Sequence, residues 1–324
     1  MQLPVELRDA IARTLEGVSR KGLAERAERV SDLYRRGGGS ALAIRDEADA
    51  LAYVVTRMPA TYGAVRNVLE RLRERCAEFA PRSILDLGAG PGTASWAAVD
   101  AWPEIESVTQ ADHNLALLRL GGALAASSSS PALRDARQVS ADIAAALPPA
   151  SVADLVVAGY TLAELDRTQS GSLIAAAWEQ CAGALILVEP GTPGGYRRIL
   201  QARELLLARG ARVAAPCPHE LACPLSAGDW CHFPQRIARS RDHMLLKHAG
   251  VPYEDEKFSY LAAVREAIFD PATADRVLAQ PRLAGAGLGM KLCRRDGTAG
   301  LVQIAKRDAQ AFHRAKKTNW GDAF

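Results

Sequence analysis

Three cysteines and two histidines fall within the seventeen residues CPHELACPLSAGDWCHF, positions 217–233, of a chain with six of each. Thiolates and imidazoles are ligands for soft and borderline metals. Cys217, Cys223 and Cys231 have the spacing C-x5-C-x7-C. That is neither the paired C-x2–4-C knuckle of small zinc modules nor the C-x3-C-x2-C of radical cofactor chemistry. Cys293, further along, offers a fourth thiolate. Four thiolates suit zinc or an iron–sulfur cluster, and spacing alone leaves both open. His219 and His232 are reserve ligands, although single histidines are more often hydrogen-bonded structural residues. Cys76 and Cys181 sit in helical texture and read as buried apolar fillers.

A second constellation is SILDLGAGPGTASWAAVDAW, which reads as a strand, a glycine turn and a helix. Gly88, Gly90 and Gly92, with Ala89 between the first two, let backbone approach a ligand, and the helix start offers free N–H groups. Dinucleotide-binding folds use G-x-G-x-x-G; here the spacing is G-x-G-x-G, with Asp86 two residues ahead. The arrangement resembles the first motif of class I S-adenosylmethionine-dependent methyltransferases. That resemblance implies that Asp86 lies near the amino-acid end of the cofactor and that Gly88 to Gly92 pass beside it. Asp112, ending TQADHN, is placed to accept hydrogen bonds from two ribose hydroxyls. Asp142, in VSADIAAALP, is offered to the adenine edge or caps a helix.

In that fold the substrate meets the cofactor at the end of the fourth strand, here ADLVVAGYTLAEL. Enzymes that methylate exocyclic amines often carry an Asn/Asp-Pro-Pro-aromatic tetrad there. Ala158-Gly159-Tyr160-Thr161 stands instead, which disfavours that chemistry. Tyr160 and Glu164 are the catalytic candidates, and Glu189 is either a pocket acid or an arginine's partner. None is a convincing general base, but methyl transfer can proceed by positioning a nucleophile in line with the sulfonium.

These residues need elements to hold them. Residues 1–80 read as helices, including two on either side of Pro59. Residues 81–210 alternate short apolar runs with helical stretches, the pattern of a parallel sheet with crossover helices. A serine run at 127–130 reads as a surface loop. Residues 211–324 carry the cysteines, and MKLCRRDGTAGLVQIAK reads as a hairpin turning near Asp296-Gly297. The expected fold is α/β: a Rossmann-like methyltransferase sheet, an N-terminal helical region, and a cysteine-rich C-terminal insertion with a hairpin.

Composition is that of an ordinary globular chain: 324 residues, 48% apolar, 24% charged, net charge +3. No apolar run reaches the ~20 residues of a membrane span. The N-terminal residues do not resemble a signal or transit peptide, so a cytoplasmic monomer is expected. From Tyr196 to Lys247 nine basic residues face four acids, and the tail to Lys317 is again basic. Either this is a phosphate-binding face or a solvated basic one.

Together the segments resemble the Rsm-twenty-two family of methyltransferase-like proteins of the ribosomal small subunit. The resemblance is carried by AYVVTRMPATYGAV, LDLGAGPGTASWAA, VAGYTLAEL, LVEPGTPGGYRRIL, CPHELACPL, WCHFPQR, DEKFSYLAAVR and AKKTNWGDAF. It implies S-adenosylmethionine binding and a [4Fe-4S] site whose ligands are Cys217, Cys223, Cys231 and Cys293, with zinc the alternative. It also implies binding to small-subunit ribosomal RNA during assembly or early translation. Methyl transfer, non-catalytic assembly work, and small-molecule methylation beside a structural zinc all remain open at this point.

Overall fold

The computed structural model describes residues 1–147, 152–285 and 287–324. Five helices come first: α1 (Val5–Thr14), α2 (Arg20–Arg35), α3 (Ser40–Ala43), α4 (Glu47–Thr56) and α5 (Met58–Arg75). Ser19 and Asp46 cap α2 and α4 by accepting backbone N–H bonds. Pro59 falls in the first turn of α5, where its missing N–H costs nothing, so the break sits where the sequence places it.

The sheet then alternates strand and helix: β1 (Ser83–Leu87), α6 (Thr93–Ala101), β2 (Ser107–Asp112), α7 (Leu115–Ala125), α8 (Pro131–Arg134), β3 (Arg137–Ser140), β4 (Ala153–Gly159), α9 (Arg167–Glu179), β5 (Cys181–Pro190) and α10 (Pro193–Leu207). After α10 come β6 (Arg212–Ala215), β7 (Phe233–Ala238), α11 (Arg241–Leu246) and β8 (Tyr253–Val264). The strand order is β3-β2-β1-β4-β5-β8-β6, with β7 also on β8. β1 to β5 run parallel, and β8 lies antiparallel to β5, β6 and β7.

The central strands are apolar on both faces, as a helix-covered parallel sheet requires. Ile84, Leu155, Val157, Ile186 and Val188 join the core beneath α5 and α6. Their neighbours Leu85, Leu87, Val156, Leu185 and Leu187 join a second core with Leu173, Ile174 and Trp178 of α9. β8 uses its buried half, Phe258 to Val264, within the sheet, while Tyr253 to Lys257 extend outward to pair with β7. The cysteine-rich residues 216–232 bridge β6 and β7 with no helix or strand of their own.

A second, smaller sheet contains β9 (Arg276–Val277), β10 (Arg282–Ala284), β11 (Gly287–Cys293) and β12 (Ala299–Ala305). The β11–β12 pair is the expected hairpin, turning through Asp296-Gly297. Helix α12 (Ala309–Lys317) packs Phe312 and Ala315 onto Met290, Leu292 and Val302. The serine run is more than a surface loop. Ser128 is buried, and its hydroxyl and the Ser129 N–H both donate to Glu6, tying α1 to the sheet domain.

Candidate cofactor crevice and cysteine cavity

The glycine turn between β1 and α6 holds Gly88, Gly90 and Gly92 at φ of 67°, 54° and 77°, a region that favours glycine. The three differ in what surrounds them. A Cβ on Gly88 would meet the Thr161 hydroxyl at 2.4 Å, and one on Gly92 the Gln110 amide at 2.4 Å. A Cβ on Gly90 would find only a Leu117 methyl at 3.8 Å. Gly90 therefore borders the open space, and the outer two glycines make room for the chain's own side chains.

Two of the three expected acids lie at this turn. Asp86 is buried and accepts from the Ser95 backbone and hydroxyl at 2.9 and 2.8 Å. Burial pushes its carboxyl up to about 6, against those two bonds. Asp112 ends β2, buried; its Oδ2 accepts from Gly90 N at 2.8 Å and its Oδ1 from Asn114 N at 2.7 Å. Each oxygen keeps a lone pair, so Asp112 can brace the loop and still accept from a ligand diol. Asp142 is exposed, and its carboxylate takes up the Ala144 N–H two residues on. That closes a local turn, and the described residues that follow, 143–147, form no helix for it to cap.

An N-terminal strap crosses the crevice, which sequence reading missed. Ser40 donates its N–H and its hydroxyl to Glu164 Oε2, both at 2.9 Å, and its hydroxyl lies 3.3 Å from His113 Nε2. Asn114 donates to the carbonyls of Ser40 and Ile44. A Cβ at Gly39 would press on the Glu164 carboxylate at 2.9 Å. Glu164, a catalytic candidate by position, thus serves as the anchor of this strap.

Tyr160 ends β4 at φ 62°, a conformation costly for a tyrosine and typical of sites where a side chain must be aimed. Its hydroxyl donates to Glu256 Oε1 at 2.7 Å, and Arg57 reaches the same oxygen at 3.5 Å. Arg57 and Glu256 lie inside quoted family segments, yet nothing in their spacing pairs them. Glu189 is buried, accepts from Arg198 at 2.7 Å, and burial raises its carboxyl to about 7 despite that guanidinium. Each candidate acid or base at the usual catalytic position is therefore engaged.

The cysteines meet elsewhere. Cys217, Cys223, Cys231 and Cys293 line one cavity, walled also by Tyr196, Ile199 and Arg203 of α10, by Arg276 and by His219. The Tyr196 hydroxyl lies 3.1 Å from Cys223 Sγ, and His219 Nε2 lies 3.4 Å from Cys293 Sγ. His232 instead stacks on Trp230 and meets Trp320 edge to face. Burial raises the thiols of Cys217 and Cys231 and brings Cys293 up to about 12. Cys76 and Cys181 are buried fillers outside this cavity.

Two buried guanidiniums decide what the cavity suits. Arg203 is 3% exposed and donates to the carbonyls of His219 and Leu221; Arg276 is 6% exposed and donates to those of Pro216 and Gly321. Neither has a carboxylate partner among the described residues. A buried charge without a counter-charge is expensive. Four thiolates around a metal centre carry a net charge of about −2, which would balance both. Among the described residues, no three His, Cys, Asp or Glu side chains converge closely enough for a single ion.

The strand order and glycine turn define a Rossmann-like sheet of the class I methyltransferase type. The chain belongs to the Rsm22 family, whose profile, described as mitochondrial small ribosomal subunit Rsm22, matches residues 47–324. It is similar to the ribosome assembly protein METTL17, mitochondrial, of Homo sapiens, at 29% identity over 296 residues. That match takes in 85% of this chain and 62% of the human protein. The Rsm22-cox11 tandem protein 2, mitochondrial, of Schizosaccharomyces pombe is 26% identical over 202 residues, 55% of this chain and 26% of its own. The chain thus spans less than two thirds of either relative. Among solved structures, magnesium protoporphyrin IX methyltransferase from Synechocystis PCC 6803 overlaps 72% of this chain and 90% of its own, at 15% identity and a TM-score of 0.43.

Proposed function

We propose that the protein binds S-adenosylmethionine in the Gly90 crevice, holds a [4Fe-4S] cluster on Cys217, Cys223, Cys231 and Cys293, and works with small-subunit ribosomal RNA in ribosome assembly or translation. The observation that carries the reading is the four-cysteine cavity with its two uncompensated guanidiniums, because a methyltransferase sheet has no need of it. Family membership supplies the ribosomal context. The compartment follows the ribosome served: the cytoplasm in a cell without organelles.

When bound, S-adenosylmethionine supplies a methyl group on an electrophilic sulfonium. The chain's part is to hold and to exclude. Asp112 offers lone pairs beside Gly90, Asp86 fixes the start of α6 through Ser95, and the Ser40 strap narrows access from solvent. Transfer to RNA would then rest on positioning, with Tyr160 and Glu189 shaping the wall rather than moving protons. That engagement favours a second reading, in which the fold binds cofactor and RNA without transferring methyl groups.

Two measurements test the proposal. Anaerobically purified protein should hold about four irons and four sulfides with a broad absorption near 400 nm, and Cys223→Ser should lose both. One zinc without sulfide would remove the cluster and revive the small-molecule alternative. Methyl incorporation into small subunits, abolished by Gly90→Arg, would establish transfer; its absence beside measurable cofactor binding would establish the non-catalytic reading.

A further inference from the structure

The charge of this chain is segregated. Residues 282–317, from β10 through α12, hold nine basic side chains and two acids, a net of +7; the rest of the chain holds 31 basic and 35 acidic residues, a net of −4. The structure sharpens the contrast. In the 196–247 stretch, which sequence reading had considered as a phosphate face, five of the nine cations are ion-paired: Arg198, Arg212, Arg236, Arg239 and Lys247. Arg203 is buried besides. That stretch is largely neutralised by acids elsewhere in the chain.

In the C-terminal module only Lys291 and Arg295 find acids, Asp229 and Asp275. Arg282, Lys306, Arg307, Arg314, Lys316 and Lys317 are exposed and form no ion pair among the described residues. The two acids are spent locally: Asp296 accepts from Thr298, and Asp308 caps α12. Crowding like charges on a small module opposes its folding, so the arrangement calls for an anionic partner.

We infer that this module, the β10–β12 sheet edge with the exposed turns of α12, is the surface that binds the phosphate backbone of RNA. The inference rests on the RNA-directed reading above and gives it a location. A lipid surface is the poorer fit. The apolar side of α12 is already covered by the sheet, with Ala315 fully buried, so no apolar face remains to enter a bilayer. Contacts of this kind position without reading sequence.

The test is fluorescence anisotropy with a helical fragment of small-subunit ribosomal RNA across a salt series. Wild-type affinity should fall steeply with salt. Lys306→Gln, Arg307→Gln, Lys316→Gln and Lys317→Gln together should flatten the log–log slope by about 3 to 4 and weaken binding tens- to a thousand-fold near 0.1 M salt. Should that variant fold poorly, Lys316→Gln with Lys317→Gln alone should flatten the slope by about 1 to 2. A control, Arg197→Gln with Arg209→Gln and Arg241→Gln, should bind nearly as wild type. Unchanged slope in the module variants, with salt-dependent wild-type binding, overturns the location and leaves RNA binding standing. No wild-type binding overturns the RNA reading itself. Flotation with phosphatidylserine vesicles, lost in the same variants while RNA is ignored, overturns the choice of partner.

Discussion

Replacing Arg203 with methionine separates the metal-loaded protein from the empty one. Methionine keeps an unbranched apolar stem, though a shorter one, and removes the charge. In the empty protein two effects oppose. The bonds from Nη2 to His219 O and Leu221 O, at 3.0 and 2.8 Å, are lost, each worth about 1.5–3 kcal/mol as hydrogen bonds to a charged group. A buried guanidinium with an unpartnered Nε also disappears, relieving a desolvation cost of similar size. The net change in stability should be small. In the loaded protein the thiolate-bound centre loses one of two neighbouring counter-charges, and breaking a buried ion pair costs about 3–5 kcal/mol. That corresponds to roughly a hundred- to several-thousand-fold weaker retention of the centre. The assay is iron and sulfide per chain after anaerobic reconstitution, followed by release to a chelator, beside urea unfolding of the metal-free protein. Retention equal to wild type with intact folding would refute the charge-balance reasoning.

Three further outcomes follow from the crevice. Gly90→Val should abolish S-adenosylmethionine binding by calorimetry, because its side chain enters the only roomy position in the turn; strain at φ 54° should cost roughly 1–2 kcal/mol of stability, far too little to unfold the sheet. Ser40→Ala should loosen the strap, removing its hydroxyl bond to Glu164 while the N–H bond stays, seen as modestly faster protease cleavage near residues 36–40 and faster cofactor exchange, with α9 unaffected. Glu189 has a folded-state value of about 7 against an ordinary 4.5. A raised acid contributes stability that is present below pH 4.5 and lost as pH rises through 7, on the order of 3 kcal/mol. Urea midpoints of Glu189→Gln should therefore fall less than wild type between pH 4.5 and 7.5, and parallel curves would reject the assignment.

The sheet was legible because its strands are buried on both faces. ILDL, broken only by Asp86, and LVVA and ALILV are apolar runs between helical stretches, and glycine marks the turn that must bend most. The crevice was legible only along the chain. Asp86, Gly90 and Asp112 sit at fixed offsets from strand ends, so their types announce them. Ser40 and Glu164 lie 124 residues apart, and no local pattern pairs a hydroxyl in a glycine-rich strap with an acid after β4. The same holds for Arg57, Tyr160 and Glu256. For the cysteines, residue type pointed to a cavity, but the arginines were less legible: a basic stretch in one dimension became five ion-paired cations and one buried charge once the chain folded. Pairing is a property of distance, and charge counted along the sequence does not contain it.

The crevice and the cavity also share their supports. Helix α10 turns Arg198 toward Glu189 at the end of β5, while Tyr196 and Arg203, seven residues apart and so on one face, turn toward the cysteines. Strand β8 presents Glu256 to Tyr160, then holds the Cys231 carbonyl through Ser259, then walls the cavity with Tyr260. Trp230, in the cysteine segment, donates to the Gly191 carbonyl just past β5. A metal centre held here, as proposed, would do more than tie down an irregular loop. It would fix two rigid elements whose next residues form the crevice wall, and would join Cys293 of the basic module to them. The order of α10 and β8, rather than any single contact, is what makes one fold of the cofactor crevice, the cysteine cavity and the C-terminal sheet.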